Sequence, residues 1–114
     1  MRKIIFIVLL AMFVLLTAID VPALADTMTH LDNGAAVFKA NCAGCHVKGG
    51  NIVRRGKNLK LKALHRNKVD TQAAIATLVT NGKGIMSAYG DKLTPEQIAE
   101  VSTYVLQRAE QNWQ

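Results

Sequence analysis

The sequence predicts an all-α domain. Apolar residues recur at three- and four-residue spacing in separate stretches, and capping residues bound those stretches. No run alternates with period two long enough to build a sheet. About four helices are expected after the opening segment is set aside.

That opening reads as an export signal. Arg2 and Lys3 precede an apolar run from Ile4 to Leu16, and Ala23-Leu24-Ala25 follows Asp20 and Pro22 as a small-x-small cleavage pattern. The run is about 13 residues, short of the roughly 20 that span a bilayer as a helix. Residues 1–25 are therefore expected to be a cleaved secretory signal and residues 26–114 one domain. An uncleaved membrane anchor is the rival reading. Stable membrane insertion of the mature chain is not expected.

The first helix is expected from Leu31 or Asp32 through Ala35, Val37 and Phe38 toward Asn41, with Asp32 or Asn33 as cap. The second, short and basic, covers Asn58 to Asn67 with Leu59, Leu61 and Leu64 on its apolar side. The third follows Asp70 as cap, carries Ala74, Ile75, Leu78 and Val79, and closes at Asn81-Gly82. The last has the fullest signals. Thr94-Pro95-Glu96-Gln97 offers a threonine cap, a proline where no hydrogen bond is lost, and a glutamine that bonds back. Ile98, Val101, Tyr104, Val105 and Ala109 then share one face.

A mature domain of roughly 89 residues buries only about two-thirds of its unfolded surface and sits near the margin of stability. The chain has 2 cysteines, Cys42 and Cys45, too close together to staple much of it. Another stabilising group is required.

Cys42-Ala43-Gly44-Cys45-His46 names that group. It is the C-x-x-C-H string of covalent c-type haem attachment. One helical turn separates the thiols, so both reach the vinyl groups on one porphyrin edge, and His46 then points its imidazole at the iron. A thioredoxin-type dithiol needs a βαβ pattern that the sequence lacks. A structural zinc site needs four ligands, and only His30 and His65 are left over. One covalent haem c is expected, held by Cys42 and Cys45 with His46 as an axial ligand.

The sixth iron position separates a carrier from a haem enzyme or gas sensor. An open or labile site would support peroxidase or ligand-sensing chemistry, whereas a thioether closes it and raises the potential. Beyond residue 25 the methionines are Met28, near the start, and Met86. The latter lies in Gly82-Lys83-Gly84-Ile85-Met86-Ser87-Ala88-Tyr89-Gly90, where glycines let the loop fold over the porphyrin face. Met86 is expected as the second axial ligand; His65 and His30 are the alternatives, and filling a gap in the core is the bland role of such a methionine.

These residues resemble the class I cytochromes c, most closely the cytochrome c6 family of cyanobacteria and algae. The likeness runs from Asp26 to Trp113. It includes Gly34, Phe38, Asn41 to His46, Gly49-Gly50-Asn51, Lys57-Asn58-Leu59, Ala63-Leu64, Val79 to Gly84, Tyr104-Val105-Leu106 and Trp113. The resemblance implies helices wrapped around one haem, and Gly34 packing closely against Tyr104. It also implies an electron-transfer protein in the thylakoid lumen or periplasm. Its donor would be the cytochrome b6f complex, and its acceptor photosystem I or a cytochrome oxidase. A monomer is expected. Family members usually carry proline after the ligand methionine, where this chain has Ser87. That departure leaves open the reduction potential, and with it whether this is a main photosystem donor or a specialised paralogue.

Removing Arg2, Lys3 and Asp20 from the chain's 14 basic and 8 acidic residues leaves a mature net charge of about +5. Lys48, Arg54, Arg55, Lys57, Lys60, Lys62, Arg66 and Lys68 concentrate it. Such a stretch is either a solvated face or an attractive patch that speeds encounter with acidic partners. No aromatic residue is interleaved with these bases, and nucleic acid is not expected. Lys57 is a candidate partner for a haem propionate, partly through the family likeness. Tyr89 is a candidate for packing beside the haem, and Trp113 for anchoring the chain end.

Overall fold

The computed structural model describes residues 1–16 and 22–114, so Asp20, in the segment expected to be an export signal, lies outside the described residues. Five α-helices follow in order: α1 Arg2–Leu16, α2 Pro22–Asn41, α3 Leu61–Arg66, α4 Gln72–Asn81 and α5 Pro95–Glu110. Short 3-10 turns at Val47–Gly49 and Arg55–Lys57 join α2 to α3. Among the described residues there is no strand, only an isolated bridge between Lys83 and Met86. The all-α expectation holds.

The apolar side chains of α1 from Ile4 to Leu10 are largely exposed. No described helix is long and apolar enough to cross a membrane.

The helix that leads into the cysteine motif starts much earlier than its spacing suggested. α2 begins at Pro22, and Asp32 and Asn33 lie inside it rather than capping it. The hydroxyls of Thr27 and Thr29 donate to the carbonyls of Ala23 and Ala25 at 2.9 and 3.0 Å, which accommodates two weak helix formers. Asn33 instead donates through Nδ2 to Glu100 Oε1 at 3.0 Å. The remaining helices are trimmed by local hydrogen bonds. Asn58 Oδ1 accepts from the Lys60 amide at 3.0 Å, a turn that delays α3 to Leu61. Thr71, not Asp70, caps α4, accepting from the Ala74 amide at 3.1 Å. The Asp70 carboxylate is engaged elsewhere, accepting from His65 Nδ1.

At α5 the sequence reading holds fully. Gln97 donates its amide to Thr94 Oγ1 at 3.1 Å, and the Thr94 amide donates to Gln97 Oε1 at 2.9 Å, a reciprocal capping box. α5 is the centre of the molecule, packed against α2 on one side and α4 on the other. Val37 and Phe38 of α2, Leu64 of α3, Ile75 and Val79 of α4, and Ile98, Val101, Val105 and Ala109 of α5 form the buried core.

The α2–α5 crossing is set by one glycine. A Cβ on Gly34 would collide with the Glu100 carbonyl and stand 2.9 Å from Tyr104 Cβ, so the implied packing of Gly34 on Tyr104 is present and includes the backbone of α5. Trp113 closes the far end. Its Nε1 donates to the Leu59 carbonyl at 2.9 Å, and its ring lies 5.1 Å from Phe38 and 6.2 Å from Tyr104.

Candidate haem site

The motif lies on a turn that continues α2 past its last residue, Asn41. The Cys42 amide donates to the Phe38 carbonyl at 2.8 Å, and the His46 amide to the Cys42 carbonyl at 2.9 Å. The thiols therefore follow the helix in a turn rather than sitting within it. Cys42 is half-buried and Cys45 exposed.

Chain reversal after His46 orients the imidazole. Gly49, at φ 75°, lies under the Trp113 ring where any side chain would collide. The next carbonyl, that of Gly50, accepts from His46 Nδ1 at 2.8 Å. A carbonyl oxygen only accepts, so the ring proton of neutral His46 is on Nδ1. The Nε2 lone pair is left for a metal, the orienting arrangement usual for metal-bound histidines.

Met86 arrives from the other side of the fold, after α4. Gly82 closes that helix at φ 67° and ψ 176°, a region essentially confined to glycine. A Cβ there would stand 2.6 Å from the Met86 carbonyl oxygen. Lys83 and Met86 exchange amide–carbonyl bonds of 3.0 and 3.1 Å across a two-residue turn at Gly84-Ile85. Gly84 has φ 59°, a conformation glycine allows in such a tight turn. The Tyr89 and Gly90 amides return to the carbonyls of Val79 and Thr80 at 2.9 and 3.1 Å. Both ends of the methionine loop are thereby tied to α4.

His46 and Met86 line one cavity of about 460 Å³. That volume is within the roughly 300–1,000 Å³ of organic-ligand sites. Phe38, Leu64, Ile75, Val79, Val101 and Val105 make its apolar wall, drawn from α2, α3, α4 and α5, and Cys42 stands at its edge. Arg54, Lys57 and Lys83 also line it, with no carboxylate among the lining residues. An apolar slot with an imidazole, a thioether and a thiol, plus a cationic border for carboxylates, fits a haem.

The thiol chemistry agrees. Burial pushes the Cys42 thiol up to about 11. A catalytic dithiol requires the opposite shift, so half-buried Cys42 does not suit disulfide exchange.

The other sequence candidates are placed differently. Lys57 lines the cavity while its ammonium donates to Asn67 Oδ1. Tyr89 does not line it; the hydroxyl donates to the Asn41 carbonyl at 3.0 Å, bracing the end of α2 beside the motif. Burial first, then the nearby Cys42 and Cys45, hold the Tyr89 hydroxyl above its ordinary pKa. His30 and His65 face Glu100 and Asp70 and line no part of the cavity, and Met28 is exposed on α2.

Sequence reasoning missed Asn51, Arg54 and Lys83. Asn51 Oδ1 accepts from the Val53 and Arg54 amides at 2.9 and 2.7 Å, and its Nδ2 donates to the Lys57 carbonyl at 3.1 Å. This one side chain shapes the loop that brings both cations to the border. The available signal was the Gly49-Gly50-Asn51 turn; Lys83 was flagged only as part of a glycine-rich loop.

Known proteins show the same arrangement of sequence and fold. Residues 29–105 match the family described as cytochrome c oxidase, cbb3-type, subunit III. A cytochrome c6-like protein of Nostoc sp. (strain PCC 7120) is 43% identical over 113 residues, covering 99% of each chain. The chain belongs to the cytochrome c6 family. Cytochrome c6 of Aphanizomenon flos-aquae is 51% identical over 89 residues, covering 78% of this chain and 98% of its own. The crystal structure of cytochrome c6C from Synechococcus sp. PCC 7002 superposes with a TM-score of 0.68 at 61% identity, covering 69% of this chain and 96% of that one. Membership carries the class I cytochrome c fold, a covalently bound c-type haem and electron transfer rather than enzymatic turnover.

Proposed function

We propose that the mature chain is a soluble, exported carrier whose iron is held between His46 and Met86, with thioether bonds from Cys42 and Cys45. The haem supplies one-electron iron chemistry, and a thioether opposite imidazole favours the reduced state and raises the potential. The observation that carries the reading is the Nδ1 bond of His46 to Gly50, which leaves Nε2 free on a residue that lines the same cavity as Met86. His46 and Met86, the latter in its glycine-tied loop, are the residues that would hold the iron. The apolar wall excludes water, while Lys57 and Arg54 at the border suit the propionates. Nothing in this arrangement asks the protein to move a proton or position a substrate.

Residues 1–25 are read as a signal removed after Ala25, delivering the protein to the thylakoid lumen or periplasm. There it would accept electrons from the cytochrome b6f complex and pass them to photosystem I or a cytochrome oxidase. The 61% identity to a protein named cytochrome c6C, together with Ser87 in place of proline, favours a specialised branch over the main photosystem donor.

The test is the near-infrared sulfur-to-iron(III) band of the oxidised protein. It is expected in the wild type and absent in Met86→Ala. A wild type without the band that binds carbon monoxide rapidly would point instead to an open sixth site, with ligand sensing or peroxidase chemistry. A midpoint titration well below the potential of the b6f donor would remove the photosynthetic relay while leaving the cytochrome intact.

A further inference from the structure

We propose that Asn67 is a positioning residue of the haem site, seating the Lys57 ammonium at the cavity border and raising the reduction potential through that fixed charge. The inference rests on the reading above that Lys57 suits a haem propionate. It adds the residue that turns a flexible lysine into a placed one.

Residue 57 is held at both ends. Asn51 Nδ2 donates to the Lys57 carbonyl at 3.1 Å, and the Lys57 amide donates to the Arg54 carbonyl at 2.8 Å, so the main chain is tied into its loop. The side chain crosses to the end of α3, where its ammonium donates to Asn67 Oδ1. Lys57 and Asn67 both line the cavity.

The Asn67 amide fits one way round. Nδ2 carries two protons and donates to the carbonyls of Gly56 at 3.1 Å and Ala63 at 2.8 Å. A flipped amide would set its oxygen against both carbonyls and turn an NH2 toward an ammonium. Arg66 Nη2 donates to the same Gly56 carbonyl at 2.8 Å, which binds the turn before Lys57 to α3 a second time. Oδ1 is thereby aimed at Lys57 by groups that are themselves fixed.

A neutral acceptor suits this task. Lysine is a point charge on a long flexible stem, and without a partner its ammonium spreads through solvent. A carboxylate at position 67 would fix the ammonium and cancel its charge, whereas an amide fixes it and leaves the charge intact. No carboxylate lines the cavity, and every ion pair among the described residues involves a histidine. Two of the three ammonium protons are left for another acceptor. A cation held at the border of a low-dielectric slot favours the form that has gained an electron, so it raises the potential.

The helix end does not need the side chain. The Asn67 amide donates to the Ala63 carbonyl and the Val69 amide to the Leu64 carbonyl, both at 3.0 Å, closing α3 through main chain alone. Asn67→Ala is therefore expected to keep the helix content and the haem spectrum.

The experiment is a spectroelectrochemical midpoint titration of four holoproteins: wild type, Asn67→Ala, Lys57→Gln and the double variant. Each single variant should lower the midpoint. The double variant should sit no lower than Lys57→Gln, because Asn67 acts through a charge that is already gone. An unchanged midpoint in Asn67→Ala overturns the inference while leaving Lys57 at the border. An equal drop from Asn67→Ala in both backgrounds also overturns it, since a merely structural residue would behave that way. An unchanged midpoint in Lys57→Gln removes the propionate reading and this inference with it. Should Asn67→Ala lose its haem spectrum, nitrogen-15 spectra of the wild-type holoprotein decide. A Lys57 ammonium signal whose protons exchange more slowly than those of Lys60 and Lys62 is expected, and equal exchange at the three lysines would overturn the seat.

Discussion

Gly34 of α2 faces the backbone carbonyl of Glu100 on α5 so closely that a methyl group there would overlap the oxygen, with Tyr104 Cβ 2.9 Å away. Both neighbours are anchored in the central helix, and one of them is main chain, so neither yields cheaply. Gly34→Ala should destabilise the holoprotein by about 1–3 kcal/mol, the usual penalty of overpacking. Chemical denaturation of variant and wild type at matched haem loading measures it, and a loss under about 0.5 kcal/mol would mean that the helices part without strain.

Gly82 tests the methionine loop without touching the methionine. Its backbone conformation costs a non-glycine residue on the order of 1–3 kcal/mol, and an added Cβ would press on the Met86 carbonyl 2.6 Å away. Gly82→Ala is predicted to weaken the sulfur-to-iron(III) band and speed carbon monoxide binding while far-ultraviolet dichroism stays unchanged. An intact band would show that the loop reaches the iron by some other constraint.

The pair at the end of α3 gives a pH prediction. The hydrogen bond from His65, ahead of Asp70's own backbone amide, holds the Asp70 carboxyl below its ordinary pKa. A depressed folded-state value means that this contribution is present above the unfolded pKa and is lost as pH falls through the folded one. Carbon-13 titration of the Asp70 carboxyl should show the low midpoint in wild type and a shift upward, toward the ordinary carboxylate range, in His65→Ala. The effect on stability should be small because the pair is exposed. Equal midpoints in the two proteins would refute the assignment.

Lys48, Arg54, Arg55, Lys57, Lys60, Lys62, Arg66 and Lys68 are all exposed, on the loops and helix that follow the haem motif. Exposed charges are screened over about 10 Å at 0.1 M salt. Electron transfer to an acidic partner should therefore slow steeply as ionic strength rises, and Lys60→Glu together with Lys62→Glu should flatten that dependence. Stopped-flow rates indifferent to salt would return the stretch to an ordinary solvated surface.

The parts of this protein that were legible in the sequence are those encoded over short distances. The Thr94–Gln97 capping box, the Gly82 helix stop and the Cys42–His46 motif each depend on residues within a turn of one another, so their chemistry survives outside the fold. Starts were less legible where a distant residue intervened. α2 reaches back to Pro22, where its His30 and Asn33 meet Glu100, and Asp70 leaves the α4 cap to Thr71 because His65 engages its side chain.

By itself the sequence determined an all-helical class, a covalent haem and two well-spaced candidate ligands, because local hydrogen bonding and thiol spacing need no long-range partner. Tertiary structure alone decided that His46 and Met86 share a cavity, that Asn51 brings Arg54 and Lys57 to its border, and that Tyr89 braces the end of α2. It also decided that His30 and Asn33 of α2 both meet Glu100 of α5. Those relationships arise where helices cross, and a crossing is set by the shapes packed between the helices, such as Gly34 against Glu100, rather than by any run of neighbouring residues.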